Sequence, residues 1–303
     1  MPSVDVLIPT YNQATVVEAT VRSALEQDYD DLRVVVSDDG STDGTVEVLR
    51  EVAAGAGARM SLVLGDQNRG IPVNFNRLVD AQRADLIAWL GGDDLMLPGK
   101  IRAQVALLEA HPEAVGVMHD AEIVDAASGA RLGRFSEQVN GAPGLRAGGV
   151  EVFLDPFYMT LPSTLMVRRA AGSHRYDERL RFANDWLWTV EAFTHGSCAV
   201  SDEVLVEYRQ TGTNVTAAPG AATRGFEESM MAMALVAARH PTLTGRARAV
   251  RAALLVGEAR RELRAGERHA ATEHLMASLS EAGPVGVARL AAWGARAAVR
   301  RTR

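Results

Sequence analysis

Apolar runs of about five residues recur through residues 4–118, and each is followed by a polar stretch rich in glycine, proline or short side chains. Val4–Ile8, Leu32–Val36, Met60–Leu64, Leu86–Leu90 and Ala114–Met118 read as strands, because short continuous apolar runs bounded by turn residues fit strands covered on both faces. Between them the spacing changes to a helical one. Ala14–Glu26 places Val17, Val21 and Leu25 on one face, and Ser41 or Thr42 is suited to cap the helix after the second strand. A helix is expected near Pro72–Arg83, and another starts at Pro98 and runs to Glu109. Strand and helix alternating in this way predict right-handed crossovers and an α/β fold, a sheet flanked by helices.

The middle of the chain is less regular. Gly129, Gly133, Gly141, Gly144, Gly148 and Gly149 mark a loop-rich stretch, after which Ser163–Val167 reads as a strand, Asp185–His195 as a helix and Val204–Tyr208 as a strand. From Ala222 onward the chain is rich in alanine and arginine with a helical pattern broken at Gly283-Pro284, which predicts a C-terminal α-helical appendage over 217–303 after a main domain over 1–216.

Composition narrows the function classes. The chain has 303 residues with a net charge of −6, the wrong sign for a nucleic-acid partner. Its single cysteine, Cys198, excludes an internal disulfide and suits a reducing compartment. The start, Met-Pro-Ser-Val-Asp, is not that of a signal peptide, and no apolar run approaches the roughly 20 residues that span a bilayer, so a cytoplasmic protein is expected.

The candidate chemistry lies in two acidic pairs, Asp38-Asp39 and Asp93-Asp94, each just after an apolar strand run. Loops at the carboxyl ends of strands in an open α/β sheet converge on one crevice. Four carboxylates there repel one another unless a cation or hydrogen-bond donors join them, and a divalent ion with a phosphorylated, hydroxyl-rich substrate meets that need. Asp94 is the leading metal ligand. Asp93 shares the metal or accepts from a ribose hydroxyl, and Asp39 suits a uracil imide N–H or a ribose hydroxyl. Gly91 and Gly92 before the second pair would let phosphates approach the backbone.

These residues stand in an order that resembles glycosyltransferase family 2: Val6-Leu-Ile-Pro-Thr-Tyr-Asn12, Val36-Ser-Asp-Asp-Gly-Ser-Thr-Asp-Gly-Thr45, Asn68-Arg-Gly70 and Trp89-Leu-Gly-Gly-Asp-Asp-Leu95 with Pro98-Gly-Lys100. The resemblance covers about residues 3 to 216. It implies the GT-A fold, a Rossmann-like mixed but mainly parallel sheet, with residues 1–216 as the catalytic domain. It also implies a nucleotide-diphospho-sugar donor, UDP-linked as the leading case, a divalent metal cofactor (Mn2+ or Mg2+) and inversion at the anomeric carbon. By the same resemblance Pro9, Thr10, Tyr11, Asp39, Asn68, Arg69 and Asp93 bind the nucleotide-sugar, and Asp94 holds the metal. One departure is Gly91, where the family often has a third acid.

An inverting transfer needs a base to take the acceptor's proton. Asp185, in Phe182-Ala-Asn-Asp-Trp-Leu-Trp188, resembles the second acid of the family's Glu-Asp motif, with Asn184 replacing the first. Its competing role is to cap the helix that follows. The segment from Tyr208 to Asn214 resembles one that closes over the donor diphosphate, where Arg209 would neutralise phosphate; a surface arginine is the alternative. His119-Asp120 reads as structural or acceptor-lining, Trp186 and Trp188 as core or acceptor platform, and Pro162-Ser163-Thr164 as acceptor-cleft lining. The histidines lack zinc-ligand spacing.

The basic end, Arg289, Arg296, Arg300, Arg301 and Arg303 with Leu290 and Trp293, is either a solvated terminus or a peripheral contact with an anionic membrane. Of the rival readings, a nucleotide-sugar pyrophosphorylase or a dinucleotide dehydrogenase would need a glycine-rich loop after the first strand, and Pro9-Thr10-Tyr11-Asn12 is not one. A catalytically inert nucleotide-sugar-binding protein is the remaining alternative, supported by Gly91 and Asn184.

Overall fold

The expected apolar runs form strands, and several extend further than hydrophobicity alone indicates. The computed structural model describes residues 1–141, 144–155, 158–211 and 220–282. Along it run β1 (Val4–Thr10), α1 (Val17–Leu25), β2 (Leu32–Asp38), α2 (Thr45–Ala56), β3 (Met60–Leu64), α3 (Ile71–Ala81), β4 (Leu86–Trp89), β5 (Leu95–Met96), α4 (Lys100–Ala110), β6 (Ala114–Asp125) and β7 (Arg131–Arg134). The short helices α5 (Phe135–Gln138) and α6 (Val150–Phe153) precede β8 (Leu165–Arg168), α7 (Arg169–Gly172), α8 (Asn184–Phe193) and β9 (Ser197–Gln210). The helices α9 (Ala221–Arg239) and α10 (Thr244–Ala265) follow, and then a last one, α11, over 268–282.

The described strands form one mixed sheet in the order β3-β2-β1-β4-β8-β6-β9-β5, with β7 on β6. Neighbours from β3 to β4 are parallel, as are β6 and β9, while β8 runs antiparallel to both β4 and β6. The chain builds outward from β1 to β3 and then returns to the other side of β1 for β4. The order therefore reverses at β1/β4, and the crevice beyond their carboxyl ends is where such sheets bind ligands.

Alternation along β1 sorts the two layers. Val4, Val6 and Ile8 join Val17, Val21, Leu49 and Ile101 from α1, α2 and α4, whereas Leu7 faces Leu78, Trp188 and Phe193 from α3 and α8. That second cluster also contains Ala232, Met233 and Val236 of α9 and Ala247 and Val250 of α10. The helical end is thus present as expected, and it shares the core of the sheet rather than burying a core of its own. The expected boundary near 217 and the break at Gly283-Pro284 lie outside the described residues, as does the arginine-rich end.

Three expectations change. Pro9 continues β1 instead of ending it. β4 pairs with β1 only as far as Leu7, so a residue without an N–H is tolerated beyond that point. β6 runs to Asp125, which puts His119 and Asp120 inside the strand rather than after it. β9 starts at Ser197, seven residues before the expected Val204. Its register against β6 jumps from Ser201 to Val204, so the polar Asp202 and Glu203 form a bulge that breaks the sequence pattern.

Candidate active site

The loops after β1, β2 and β3 are tied together by short polar side chains. Thr10 Oγ1 donates to Asp38 Oδ2 at 3.0 Å, and Asp38 also accepts from the Ser41 N–H and hydroxyl at 2.8 and 2.6 Å. Asn12, the one non-glycine with positive φ among the described residues (51°), donates its N–H to Ser41 Oγ and accepts from the Thr42 N–H. Asn and Asp tolerate that left-handed backbone best. Asn74 on α3 donates to the carbonyls of Thr10 and Ser37. Asp38 is fully buried and supports the loop.

Asp39 has partners other than those expected. Its carboxylate accepts from the N–H groups of Arg69 and Gly70, at 3.1 and 2.7 Å, and pairs with Arg77 Nη1 at 3.0 Å. With 3% of its surface exposed, it shapes the 68–70 loop, and a base N–H would have to displace one of these donors. Pro9 and Thr10 are partly to fully buried in the floor, while Tyr11, Asn68 and Arg69 are exposed at the rim.

The second acidic pair lies after β4. Asp94 Oδ1 accepts from the Arg209 N–H at 3.1 Å and Oδ2 from the Ser163 hydroxyl, which in turn accepts from the Gly91 N–H at 2.9 Å. Burial first, and then repulsion from Asp93, push the Asp94 carboxyl up to about 7. Asp93 is only half-buried, and burial raises it as well. Asp93 has the more accessible carboxylate, and both oxygens of Asp94 are already hydrogen-bonded.

Arg209 lies against the acidic loop. Its Nε donates to the Asp93 carbonyl, and its Nη2 lies 3.5 Å from the Val16 carbonyl and Thr20 Oγ1. The guanidinium underpins the acidic loop through backbone oxygens instead of pointing freely at a diphosphate. The role expected of Gly91 and Gly92 changes likewise. A Cβ at Gly92 would come within 2.1 Å of Gln13 Oε1 and 2.6 Å of the Pro9 carbonyl, and one at Gly91 within 2.8 Å of Asp94 Oδ2. Both glycines are required by protein packing.

Asp185 sits in the first turn of α8, one residue beyond the helix's first, with Ala183 at the cap position and no side-chain cap. It is thus not the cap residue itself, although its carboxylate takes up one of the first turn's free N–H groups. Oδ1 accepts from the Trp186 N–H at 2.7 Å, and burial pushes the carboxyl up to about 6. On β9, burial raises the Tyr208 hydroxyl, and so, to a smaller extent, do the charges of Asp94, Asp93 and Asp185. Asn184 is 4% exposed and donates to the Arg181 carbonyl at 2.7 Å, a structural bond that the acid it replaces could not make while ionised.

The remaining candidates divide. His119 and Asp120 are buried. His119, pushed down to about 3 by burial and then by nearby Lys100, bonds the Asp120 carbonyl, while the Asp120 carboxylate accepts from Ser136 and the Ala121 N–H. Both are structural. Trp188 stacks on Tyr176 and His174 in the core, and Trp186 donates to the Phe153 carbonyl. Sequence reasoning missed the contribution of Ser163 to the acidic pair, and it missed Arg77. Their only sequence signal was position, beside a strand end or one turn into a helix. Gly212, Thr213 and Asn214 lie outside the described residues, among which no three His, Cys, Asp or Glu side chains gather as a metal site.

The profile of "Glycosyl transferase family 2" matches residues 5–160. The chain is 30% identical over 187 residues to "Putative glycosyltransferase EpsE" of Bacillus subtilis (strain 168), an overlap of 60% of this chain and 66% of that protein. It spans only 37% and 33% of two further curated relatives. Two solved structures share the fold. One is S. aureus TarS 1-349 in complex with UDP-GlcNAc, with TM-score 0.64, 18% identity, and coverage of 84% of this chain and 72% of that one. The other is the mannosyltransferase PcManGT from Pyrobaculum calidifontis in complex with GDP-Man and Mn2+, with TM-score 0.60, 20% identity, and coverage of 99% and 82%.

Proposed function

The chain belongs to glycosyl transferase family 2, and from that premise we propose that it moves a sugar from a nucleotide-diphospho-sugar, UDP-linked as the leading case, to an acceptor hydroxyl by a single inverting displacement. The observation that carries this reading is the placement of Asp93-Asp94 just after β4, at the β1/β4 switch point of the sheet, with β9 bringing the Arg209 N–H onto Asp94.

In this proposal Pro9, Thr10, Tyr11, Asn68 and Arg69 enclose the nucleoside, Tyr11 offering an exposed aromatic face, and Asp39 holds the 68–70 wall in place. Asp93 and Asp94 fit a divalent ion such as Mn2+ or Mg2+. They are hard oxygen donors, both are raised in pKa, and neither is ion-paired among the described residues. Such an ion would supply positive charge beside the departing diphosphate. Asp93 is assigned as its main ligand, Asp94 as a second ligand fixed by Ser163, and Arg209 as the support beneath them.

Asp185 takes the proton of the acceptor hydroxyl as that oxygen bonds the anomeric carbon. The bond from that carbon to the diphosphate oxygen breaks, and its electron pair leaves with the nucleoside diphosphate. With a carboxyl near 6, Asp185 is ionised and basic at neutral pH. The acceptor belongs to a glycan, a lipid-linked oligosaccharide or a small molecule. The C-terminal helices are the surface proposed to meet an anionic membrane.

Metal-dependent release of UDP from UDP-sugars tests the reading. Asp185→Asn is expected to keep donor binding by calorimetry and to lose turnover; full turnover in that variant rejects the base assignment. Binding with no release by the unaltered chain would instead favour the inert alternative, from which the structural role of Asn184 already removes one support.

A further inference from the structure

The start of α8 is held from another helix. Its cap residue, Ala183, contributes no side-chain bond, yet Glu228 Oε2 on α9 accepts from the N–H groups of Phe182 and Ala183 at 2.5 and 3.2 Å. One turn earlier on α9, the Arg224 guanidinium lies over the Phe182 ring, 5.3 Å from its centroid. At the far end of α8, Arg239 and His240 pair with Glu191, and Arg239 also reaches Asp177. The helix is therefore gripped at both ends by α9. Only the Glu228 end lies beside Asp185, two residues beyond Ala183.

A carboxylate placed on the N–H of a helix's cap residue and of the residue before it anchors the entry to the helix and complements the helix dipole. Without it, Phe182 and Ala183 would turn their N–H groups to water, and the first turn, which carries Asp185, would fray. We infer that Glu228 is a positioning residue: through Phe182 and Ala183 it fixes the first turn of α8, and with it the orientation and partial burial of Asp185. The inference rests on the proposed role of Asp185 only for its consequence in turnover. The geometric claim stands apart from that role. The catalytic apparatus would then include a residue beyond the boundary expected near 217.

The full-length chain, labelled with 13C at aspartate carboxyl groups, tests this directly, with Asp185→Asn to assign the resonance. In the unaltered protein Asp185 is expected to titrate above the ordinary carboxylate range, near 6, because of its burial. Glu228→Ala is expected to bring that titration down toward the ordinary carboxylate range, because a frayed turn hydrates the group. Glu228→Gln keeps an acceptor oxygen and should restore most of the upward shift. Arg239→Gln, which loosens the far end of α8, should leave it in place. UDP release from UDP-sugars with Mn2+ should fall about tenfold or more in Glu228→Ala at unchanged donor affinity, since misplacing a reacting group costs that much. Wild-type titration of Asp185 in Glu228→Ala, or an equal displacement in Arg239→Gln, overturns the inference. If the titrations behave as expected while Asp185→Asn still turns over, the base assignment fails and the positioning claim survives.

Discussion

At Asp185 the requirements of folding and of the proposed chemistry oppose each other. Its carboxyl is raised above the ordinary value by burial, so the ionised form is the one the fold disfavours. The sign of the linkage follows: this group favours the folded state most below pH 4, and that contribution is lost as pH rises through about 6. Asp185→Asn should therefore stabilise the protein at pH 7.5 by about 1 to 2 kcal/mol, less than the full shift because the group is only half-buried, and by about half as much at pH 5. Thermal melts at the two pH values check this, and an equal effect at both removes the explanation. The turnover profile should rise with pH on a limb near 6. Gly91 gives a second prediction. Restoring the family's acid with Gly91→Asp should weaken Mn2+ binding, because a Cβ there meets Asp94 Oδ2 at 2.8 Å. Tighter binding by calorimetry would refute the packing argument. Both acids were legible in the sequence from their neighbours. That Ser163 bonds Asp94 was not, because it arrives from a turn 69 residues further along the chain.

Elements that follow one another locally were read well, and those defined by long-range pairing were not. β1 to β4 and α1 to α4 announce themselves through runs and spacing within about thirty residues of sequence. The two-residue β5 exists only because Leu95 and Met96 pair with Glu207 and Val206, and the first half of β9 exists through its register with β6. These pairings bring Arg209 under Asp93-Asp94, so the same blind spot hid both the strand and the hydrogen bonds that arginine makes. Ser163 belongs to the short turn before β8 and joins two buried groups, the Gly91 N–H and the Asp94 carboxylate. Ser163→Ala strands both, at about 1 to 3 kcal/mol for each unpaired group. Chemical denaturation should show that loss, and Ser163→Thr should recover part of it; an alanine variant as stable as the parent would mean the two groups find other partners.

For the whole molecule, the distribution of charge matters more than its sum. Of the chain's 32 basic and 38 acidic residues, 14 and 7 fall after residue 216, leaving 18 and 31 before it, so the net −6 divides into +7 and −13. The same C-terminal portion exposes Leu263, Leu275, Met276 and Leu279, of which Leu275, Met276 and Leu279 share one face of α11 with Arg268. No helix among the described residues is long and apolar enough to cross a membrane. Five of the fourteen basic residues, at 289–303, lie outside the described residues; a basic chain end beside the exposed apolar side chains of α11 would suit an anionic surface, each basic group near such a surface contributing about 1 kcal/mol and salt screening the attraction. The acidic remainder would be repelled, which orients the chain helices-first. The full-length protein should sediment with vesicles containing phosphatidylglycerol and not with pure phosphatidylcholine, and the bound fraction should fall with added salt. Leu275→Gln combined with Leu279→Gln should reduce binding without changing the melting temperature. Equal sedimentation with neutral vesicles, or none with anionic ones, removes the membrane reading and leaves the charge division as a device for solubility or for a protein partner. Because α9 and α10 share the sheet's core, a surface held by these helices would bear on the same packed unit that carries Asp185.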